Sequence, residues 1–166
     1  MAPTISPRVV VGGVGHLYQG DLDVGRLAVE RLAHAELGRD VAVEDFSYGA
    51  VAVAQRLEEL RPQLLLLVGA VARGRSPGTV ERREYRAAAG TAHEIQAAIA
   101  DAVTGYIGLE LVLEVAGGLG ALPPRTVAIE VEPAATQPSE RLSPDAERGL
   151  EQALGLVRRE LISGSR

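Results

Sequence analysis

Few side chains in this sequence could take part in catalysis or bind a metal ion. His16, Asp21 and Asp23 follow a glycine-rich stretch, while His34 and His93 lie farther along the chain. Carboxylates and imidazoles suit a borderline divalent metal ion. The two aspartates are only two positions apart at a predicted helix start, so they cannot face each other as in an aspartic peptidase. Their simpler role is to stabilise that helix by about 0.3–1 kcal/mol through its dipole.

The elements around these residues would place them at the carboxyl end of a first β-strand. Residues 9–11 are three valines, which are typical of a buried parallel strand. A glycine-rich turn follows, and apolar residues at helical spacing then predict a helix over residues 24–35. In α/β proteins this strand, turn and helix arrangement forms a binding site. We expect its cleft to be lined by Gly13, Gly15, His16, Asp21 and Asp23.

The remaining pattern predicts an α/β fold. Further strands are predicted at residues 41–46, 64–68, 79–85 and 126–131, and further helices at 50–60, 86–104, 107–116 and 144–162. This order favours a three-layer, mostly parallel, twisted five-stranded sheet with helices on both faces, of the phosphorylase/hydrolase-like kind. We expect the arginines within 79–85 on one face of their strand, which is typical of an edge strand. No linker divides the chain, so residues 1–166 are predicted to form a single domain.

The composition argues against several classes of protein. The sequence has no cysteine, which excludes disulfides, thiolate metal sites and cysteine nucleophiles. A net charge of -5 argues against nucleic-acid binding. No apolar run reaches the roughly 20 residues that span a bilayer, and the polar N-terminus is unlike a signal peptide, so a cytoplasmic protein is expected. Arginines gather around the third loop and fourth strand, where we expect a solvated face or a surface for an acidic peptide.

Four short motifs together cover nearly the whole chain. They are Gly13-Val14-Gly15 with Asp21 and Gly25; Val68-Gly69-Ala70-Val71 with Pro77-Gly78-Thr79; Ile107-Gly108-Leu109; and Leu142-Ser143-Pro144. In this order and spacing they resemble the endopeptidases that mature nickel–iron hydrogenases. The corresponding family patterns are G-x-G-N followed by Asp-(Asp/Glu)-x-x-Gly, V-D-A-V with P-G-T, and His-x-(L/I)-G-L. A single G-x-G turn is weak evidence, but four ordered matches indicate kinship.

The resemblance implies an activity and also shows where this chain departs from it. Family members remove a C-terminal extension from the hydrogenase large subunit once nickel is inserted, and three of their residues are thought to recognise that nickel. The equivalent positions here are Leu22, Gly69 and Gly105, none of which has a side-chain donor atom. His16 replaces the family asparagine. The nickel belongs to the substrate, so no resident cofactor or metal is expected.

The resemblance and the replaced ligands together favour a non-proteolytic family member, a pseudoenzyme. Its partner would be the nickel–iron hydrogenase large subunit or another maturation protein, and neither nucleic acid nor membrane is expected to bind. Two alternatives stay open. The first is an active maturation endopeptidase, a hydrolase, with a relocated metal site built from His16, Asp21, Asp23 or His93. The second is a small-molecule-binding protein that uses a cleft opened by Gly69 and Gly105.

Each histidine of the relocated site also has a simpler interpretation. His16 lies in the glycine turn, where a polar side chain often hydrogen-bonds to local backbone. His93 lies near the start of a predicted helix, and we expect it on the surface. His34 lies on the polar side of the first helix, where we expect it to be solvated.

Overall fold

The computed structural model describes residues 6–86, 93–94, 96–97, 100 and 108–163. Its five strands are β1 (Val9–Val14), β2 (Val41–Asp45), β3 (Leu64–Ala70), β4 (Val80–Tyr85) and β5 (Arg125–Val131). They form one sheet in the order β2-β1-β3-β5-β4. Only β4 runs antiparallel to its neighbour, β5, and the other strands are parallel. The predicted mostly parallel five-stranded sheet is therefore confirmed.

The described helices also follow the predicted order. They are α1 (Val24–Leu32), which continues a short 3-10 helix (Gly20–Asp23), α2 (Ala50–Leu60), α3 (Leu109–Gly118) and α4 (Pro144–Ser163). Helix α1 ends before residue 35, although Ala35 N still donates to Leu32 O in the turns that follow. Most of the helix predicted over residues 86–104 lies outside the described residues. Residues 93, 94, 96, 97 and 100 are helical and exposed.

Two apolar clusters, one on each face of the sheet, make the fold three layers thick. Val9 and Val11 of β1 lie in a cluster with α1 and α4, whereas Val10 lies in a cluster with α2 and α3. All three valines are fully buried. Because a fully buried valine contributes about 1.5–3 kcal/mol, the alternation along β1 fixes which helix covers which face.

The amino end of α1 lies directly against the carboxyl end of β1. A Cβ atom added to Gly13 would lie 2.0 Å from the carbonyl oxygen of Gly25, and one added to Gly25 would lie 2.2 Å from the carbonyl oxygen of Val14. Only glycine permits this approach at both positions. The two glycines shared with the hydrogenase-peptidase pattern therefore set the position of α1 over the sheet.

Strand β4 lies at one edge of the sheet, as predicted, but its arginines do not share a face, because Arg82 and Arg83 are consecutive and point to opposite sides. Strand β4 exposes four consecutive charged residues, and its Arg82 pairs with Glu160 of α4 and with Glu84. No helix among the described residues is long and apolar enough to cross a membrane.

Candidate functional site

The loop after β1 is held in place by the buried carboxylate of Asp21. One carboxylate oxygen accepts hydrogen bonds from the backbone N–H groups of Ala134 and Ala135, both at 2.8 Å, and from the Ser143 hydroxyl at 2.7 Å. The other oxygen accepts a hydrogen bond from Ser143 N at 2.7 Å. Asp21 is fully buried. A side chain near the amino end of the protein thus fixes the loop between β5 and α4.

These hydrogen bonds keep Asp21 ionised. Burial alone would raise the pKa of its carboxyl, but the hydrogen bonds from Ala135, Ser143 and Ala134 outweigh burial and lower the pKa. Three of the four hydrogen bonds reach Oδ2 and one reaches Oδ1, so most of the carboxylate's capacity to accept hydrogen bonds is used within the protein. Asp21 therefore acts as a structural link at this edge of the sheet.

Ser143 extends the link into the last helix. Its hydroxyl oxygen accepts a 3.1 Å hydrogen bond from Ala146 N while its hydrogen is donated to Asp21. This makes Ser143 the N-cap of α4, followed by Pro144 at the first helical position.

Asp23 faces a different partner from Asp21. Its carboxylate accepts hydrogen bonds from Arg26 Nε at 2.9 Å and Arg26 Nη2 at 2.7 Å, which is a bidentate pair. Asp23 is buried, and its Oδ1 would lie 2.9 Å from a Cβ atom at Gly15. The two aspartates flank Leu22, but each accepts hydrogen bonds from different groups: Asp21 from the loop between β5 and α4 and from Ser143, and Asp23 from Arg26.

The position of the family's first nickel-recognising residue holds an apolar side chain that packs inward. Leu22 is half-buried and lies against the apolar cluster below α1 and α4. Its carbonyl oxygen accepts a 3.1 Å hydrogen bond from His16 N. His16 itself is exposed in the turn, and its backbone carbonyl accepts a hydrogen bond from Gln19 N. These backbone hydrogen bonds make His16 part of the local turn.

The position of the family's second nickel-recognising residue is already filled. Gly69 pairs with Val14 at the ends of β3 and β1. A Cβ atom at Gly69 would lie 3.1 Å from the Leu109 side chain and 3.1 Å from the carbonyl oxygen of Val14. The prediction that Gly69 opens the cleft is therefore wrong, because Leu109 of α3 occupies that space. Gly105, the third position, lies outside the described residues.

The structure does not assemble the other candidate ligands into a metal site. His93 is helical and exposed, and His34 is exposed just after α1. Among the residues that the structure describes, no group of three or more histidine, aspartate or glutamate side chains is placed to hold a metal ion. Leu22 and Gly69 also lack donor atoms. The described residues therefore do not fit the recognition of a metal in the way that the resemblance implies.

A second buried carboxylate cluster lies at the carboxyl end of β5, and the sequence interpretation missed it. Glu130 is 2% exposed and accepts hydrogen bonds from Arg73 Nε at 2.7 Å and Arg75 Nη1 at 3.1 Å. Glu132 is 3% exposed and accepts hydrogen bonds from Arg73 N at 2.8 Å and Arg75 N at 2.7 Å. The available signal was a pair of glutamates two positions apart, Glu130 near the end of a mainly apolar strand and Glu132 just after it.

This cluster corrects the interpretation of Arg73 and Arg75 as part of a solvated face or a peptide surface, whereas Arg82 and Arg83 of β4 are exposed as expected. Burial raises the pKa values of Glu130 and Glu132, but hydrogen bonds from Arg73 and Arg75 outweigh it and lower both. In turn, the hydrogen bond to Glu130 raises the pKa of Arg73. The two arginines neutralise carboxylates of their own chain and anchor the loop after β3 to β5.

The arrangement of sheet, loops and helices matches solved structures. A hydrogenase 2 maturation peptidase from Thaumarchaeota archaeon has 24% identity and a TM-score of 0.66, over 93% of this chain and 97% of that chain. The maturating endopeptidase HybD from E. coli has 21% identity and a TM-score of 0.73, over 95% and 93%. The chain has the fold of the hydrogenase maturation peptidases.

Other comparisons agree on this fold. The maturation protease HycI from Thermococcus kodakarensis has 22% identity and a TM-score of 0.66, with 95% of this chain and 94% of that chain covered. Neither a protein-family model nor a curated protein sequence matches the chain. At these identities the hydrogenase maturation peptidase fold is what is shared. The fold expected from the four motifs is confirmed, and the activity has to be argued from the site.

Proposed function

We propose that this chain is a divergent, non-proteolytic member of the hydrogenase maturation peptidase family. In this proposal it binds a hydrogenase maturation partner in the cytoplasm and cleaves nothing. The observation that carries the proposal is that Leu22 and Gly69, at two positions where the family has metal-binding side chains, have no side-chain atom that can bind a metal, although the loops around them are held by hydrogen bonds. Leu22 packs into the core, and Leu109 fills the space beside Gly69.

The loops around Leu22 and Gly69 are held in a defined arrangement, which supports a protein that still binds a partner. Four donors hold Asp21, and Ser47 Oγ accepts a 2.9 Å hydrogen bond from Gly15 N, which ties the loop after β2 to the loop after β1. A loop with no remaining role would have little reason to keep such long-range hydrogen bonds. A protein that binds the partner of a peptidase without cleaving it needs the loops to be ordered, but it does not need the side chains that recognise the metal.

Exposed apolar side chains on these two loops supply the surface for a partner. Leu17 is 47% exposed and Tyr18 57%, both in the loop after β1, and Tyr48 in the loop after β2 is 54% exposed. Tyr18 is held at a φ of 64°, which an L-residue adopts only at a cost. Tyrosines combine an apolar ring with a polar tip and are enriched in protein interfaces. We propose that the large subunit or another maturation protein contacts these residues.

An active peptidase with a relocated site receives less support. Asp21 would have to release four hydrogen bonds before it could bind a metal, and Asp23 would have to release Arg26. Losing several charge-assisted hydrogen bonds costs about 1.5–3 kcal/mol for each. The small-molecule alternative loses its basis at Gly69, since that space is occupied.

A binding assay tests the proposal. The chain is mixed with a nickel-loaded precursor large subunit, and complex formation is measured by size-exclusion chromatography with light scattering. We expect a complex that Tyr18→Ser and Tyr48→Ser weaken. Ile162→Ser is the matched control, because Ile162 is 69% exposed at the far end of α4. A precursor that never binds would refute this choice of partner, and cleavage of the precursor would refute the loss of activity.

A further inference from the structure

A pocket of about 390 Å³ lies between α3 and the face of the sheet formed by β4 and β5. Its lining includes Arg73, Arg83, Tyr85, Leu113, Glu114 and Glu130. We propose that this pocket binds a free amino acid with an apolar side chain, whose carboxylate is held by Arg73 and Arg83 and whose ammonium group is held by Glu114. The pocket lies at the other end of the sheet from the loops after β1 and β2, so this proposal does not depend on the maturation partner.

The register of β4 and β5 places the charged and aromatic residues of β4 on the α3 side. Arg83 lies directly opposite Ala128, and residues opposed in this way on antiparallel strands share a face of the sheet. Ala128 belongs to the apolar cluster formed with α2 and α3, and Tyr85 packs against that cluster. Since Arg83 and Tyr85 are two positions apart on one strand, both side chains face α3.

Two guanidinium groups meet at one oxygen of the buried Glu130 carboxylate. Arg73 Nη2 donates a 2.9 Å hydrogen bond to Glu130 Oε2, and Arg83 Nη1 lies 3.6 Å from the same oxygen. Within the part of the chain that the structure describes, Arg73 Nη1 and the whole Arg83 guanidinium make no hydrogen bond to protein. Adjacent guanidinium groups with spare N–H donors suit a second carboxylate, supplied by a ligand.

A carboxylate on the opposite wall of the pocket is also available. Glu110 of α3 already pairs with Arg73 at 2.7 Å, whereas Glu114, one helical turn later, is exposed and has no hydrogen bond or ion pair with any described residue. Burial and the negative charge of Glu114 raise the pKa of Tyr85, so this carboxylate lies close to the tyrosine. Arg83 and Glu114 therefore line one pocket with opposite charges, and a ligand that carries both an anionic and a cationic group pairs with both.

The surface between these charges is apolar. Leu113 and Ala128 are buried, and the half-buried Tyr85 adds an aromatic ring. The volume lies within the range of about 300–1,000 Å³ that is typical of small-molecule sites. An apolar side chain on the ligand gains from leaving water there. A ligand with only one of the two charges leaves either Glu114 or the arginines without a partner, which selects for the zwitterion.

Calorimetric titration of the full chain with L-leucine and L-phenylalanine tests the proposal. We expect one saturable site with a Kd below about 1 mM for at least one of them. The matched probes are 4-methylpentanoate, which is leucine without its amino group, and 3-methylbutylamine, which is leucine without its carboxylate. Each should bind at least about tenfold more weakly than L-leucine. No binding of either amino acid at about 10 mM would overturn the proposal, and so would equal binding of a singly charged probe.

Three variants test the residues. Arg83→Gln and Glu114→Gln should each weaken binding of the amino acid about tenfold or more. Arg82→Gln is the matched control, because Arg82 is the neighbouring arginine on the opposite face of β4 and pairs with Glu160 of α4; its affinity should stay within about twofold of the original. Circular dichroism checks that each variant is folded, and if Arg83→Gln is not, Glu114→Gln decides. Unchanged affinity in the first two variants, or an equal loss in Arg82→Gln, would overturn the assignment.

Discussion

The carboxylate of Asp21 and the hydroxyl of Ser143 are joined by a 2.7 Å hydrogen bond between residues 122 positions apart in the chain. The same serine hydroxyl caps α4 through Ala146 N. The loop where the family places its first nickel-recognising residue is thus fastened to the start of the last helix.

Replacing Asp21 with asparagine should destabilise the protein strongly. The amide keeps the shape but has only one acceptor oxygen and no charge, so backbone N–H groups at Ala134, Ala135 or Ser143 lose their partner. We expect a loss of about 2–4 kcal/mol in the free energy of unfolding, measured by urea denaturation. Asp40→Asn is the control, because its pair with Arg8 is partly exposed to solvent and its loss should destabilise the protein much less than the loss of the buried Asp21 carboxylate. Equal losses in the two variants would contradict the structural role of Asp21.

Stability should fall in acid over a window set by the buried carboxylates. The pKa values of Asp21, Glu130 and Glu132 are lowered in the folded state. Their contribution is therefore fully present above their unfolded pKa values of about 4 and is lost as the pH falls through the lower folded values. Urea unfolding at a series of pH values should show this decline. Asp21→Asn should have a shallower decline, and an unchanged slope would argue that Asp21 does not contribute.

Removing the charge of Glu130 should lower the free energy of unfolding, because Arg73 and Arg75 both bind this carboxylate. Glu130→Gln removes the buried carboxylate that Arg73 and Arg75 share. Arg73 keeps its pair with Glu110 and Arg75 keeps its pairs with Glu81 and Glu132, so we expect a loss of about 1.5–3 kcal/mol in the free energy of unfolding. Arg83→Ala is the control, because Arg83 lies 3.6 Å from Glu130 and is 45% exposed. That variant should lose less than about 1 kcal/mol by thermal or urea unfolding. A small effect of Glu130→Gln would mean that the other carboxylates beside Arg73 and Arg75, and not Glu130, hold the two arginines.

Much of the fold followed from local patterns in the sequence. The valines of β1, the leucine run of β3 and the charged residues of β4 each indicated a strand and its exposure, since buried strands select apolar residues and an exposed edge strand selects charged ones. The Ser143 cap was also predictable, because capping depends on neighbours within one helical turn.

The contacts of the site were not predictable in the same way, because its partners are distant in sequence. Asp21 is as compatible with a helix-stabilising carboxylate as with the link to Ser143, and only the tertiary structure decides. Glu130 appeared to be an ordinary strand residue until the loop carrying Arg73 was placed beside it. Gly69 suggested an open cleft, because nothing local indicates that Leu109 packs there.

Restoring the family's aspartate at Gly69 should be costly. A Cβ atom there already lies 3.1 Å from Leu109, so Gly69→Asp forces a carboxylate against a buried leucine, with an expected loss of about 2–4 kcal/mol in unfolding free energy. Gly155→Asp is the matched control, because nothing lies within 4 Å of a Cβ atom at Gly155. It should change stability by less than about 1 kcal/mol.

Leu109→Ala then tests the cause of that cost. If Leu109 fills the space beside Gly69, the double variant Gly69→Asp/Leu109→Ala should lose less stability than the sum of the two single variants. Strict additivity of the two losses would mean that the Gly69 site has room for the aspartate.

The most direct test of the account is a cleavage assay on a nickel-loaded precursor of a hydrogenase large subunit. The precursor is incubated with this chain or with an active hydrogenase maturation peptidase, and its mass is measured. With no donor atom at Leu22 or Gly69, we predict that the active enzyme shortens the precursor while this chain leaves it at full length. Removal of the C-terminal extension by this chain would contradict the account.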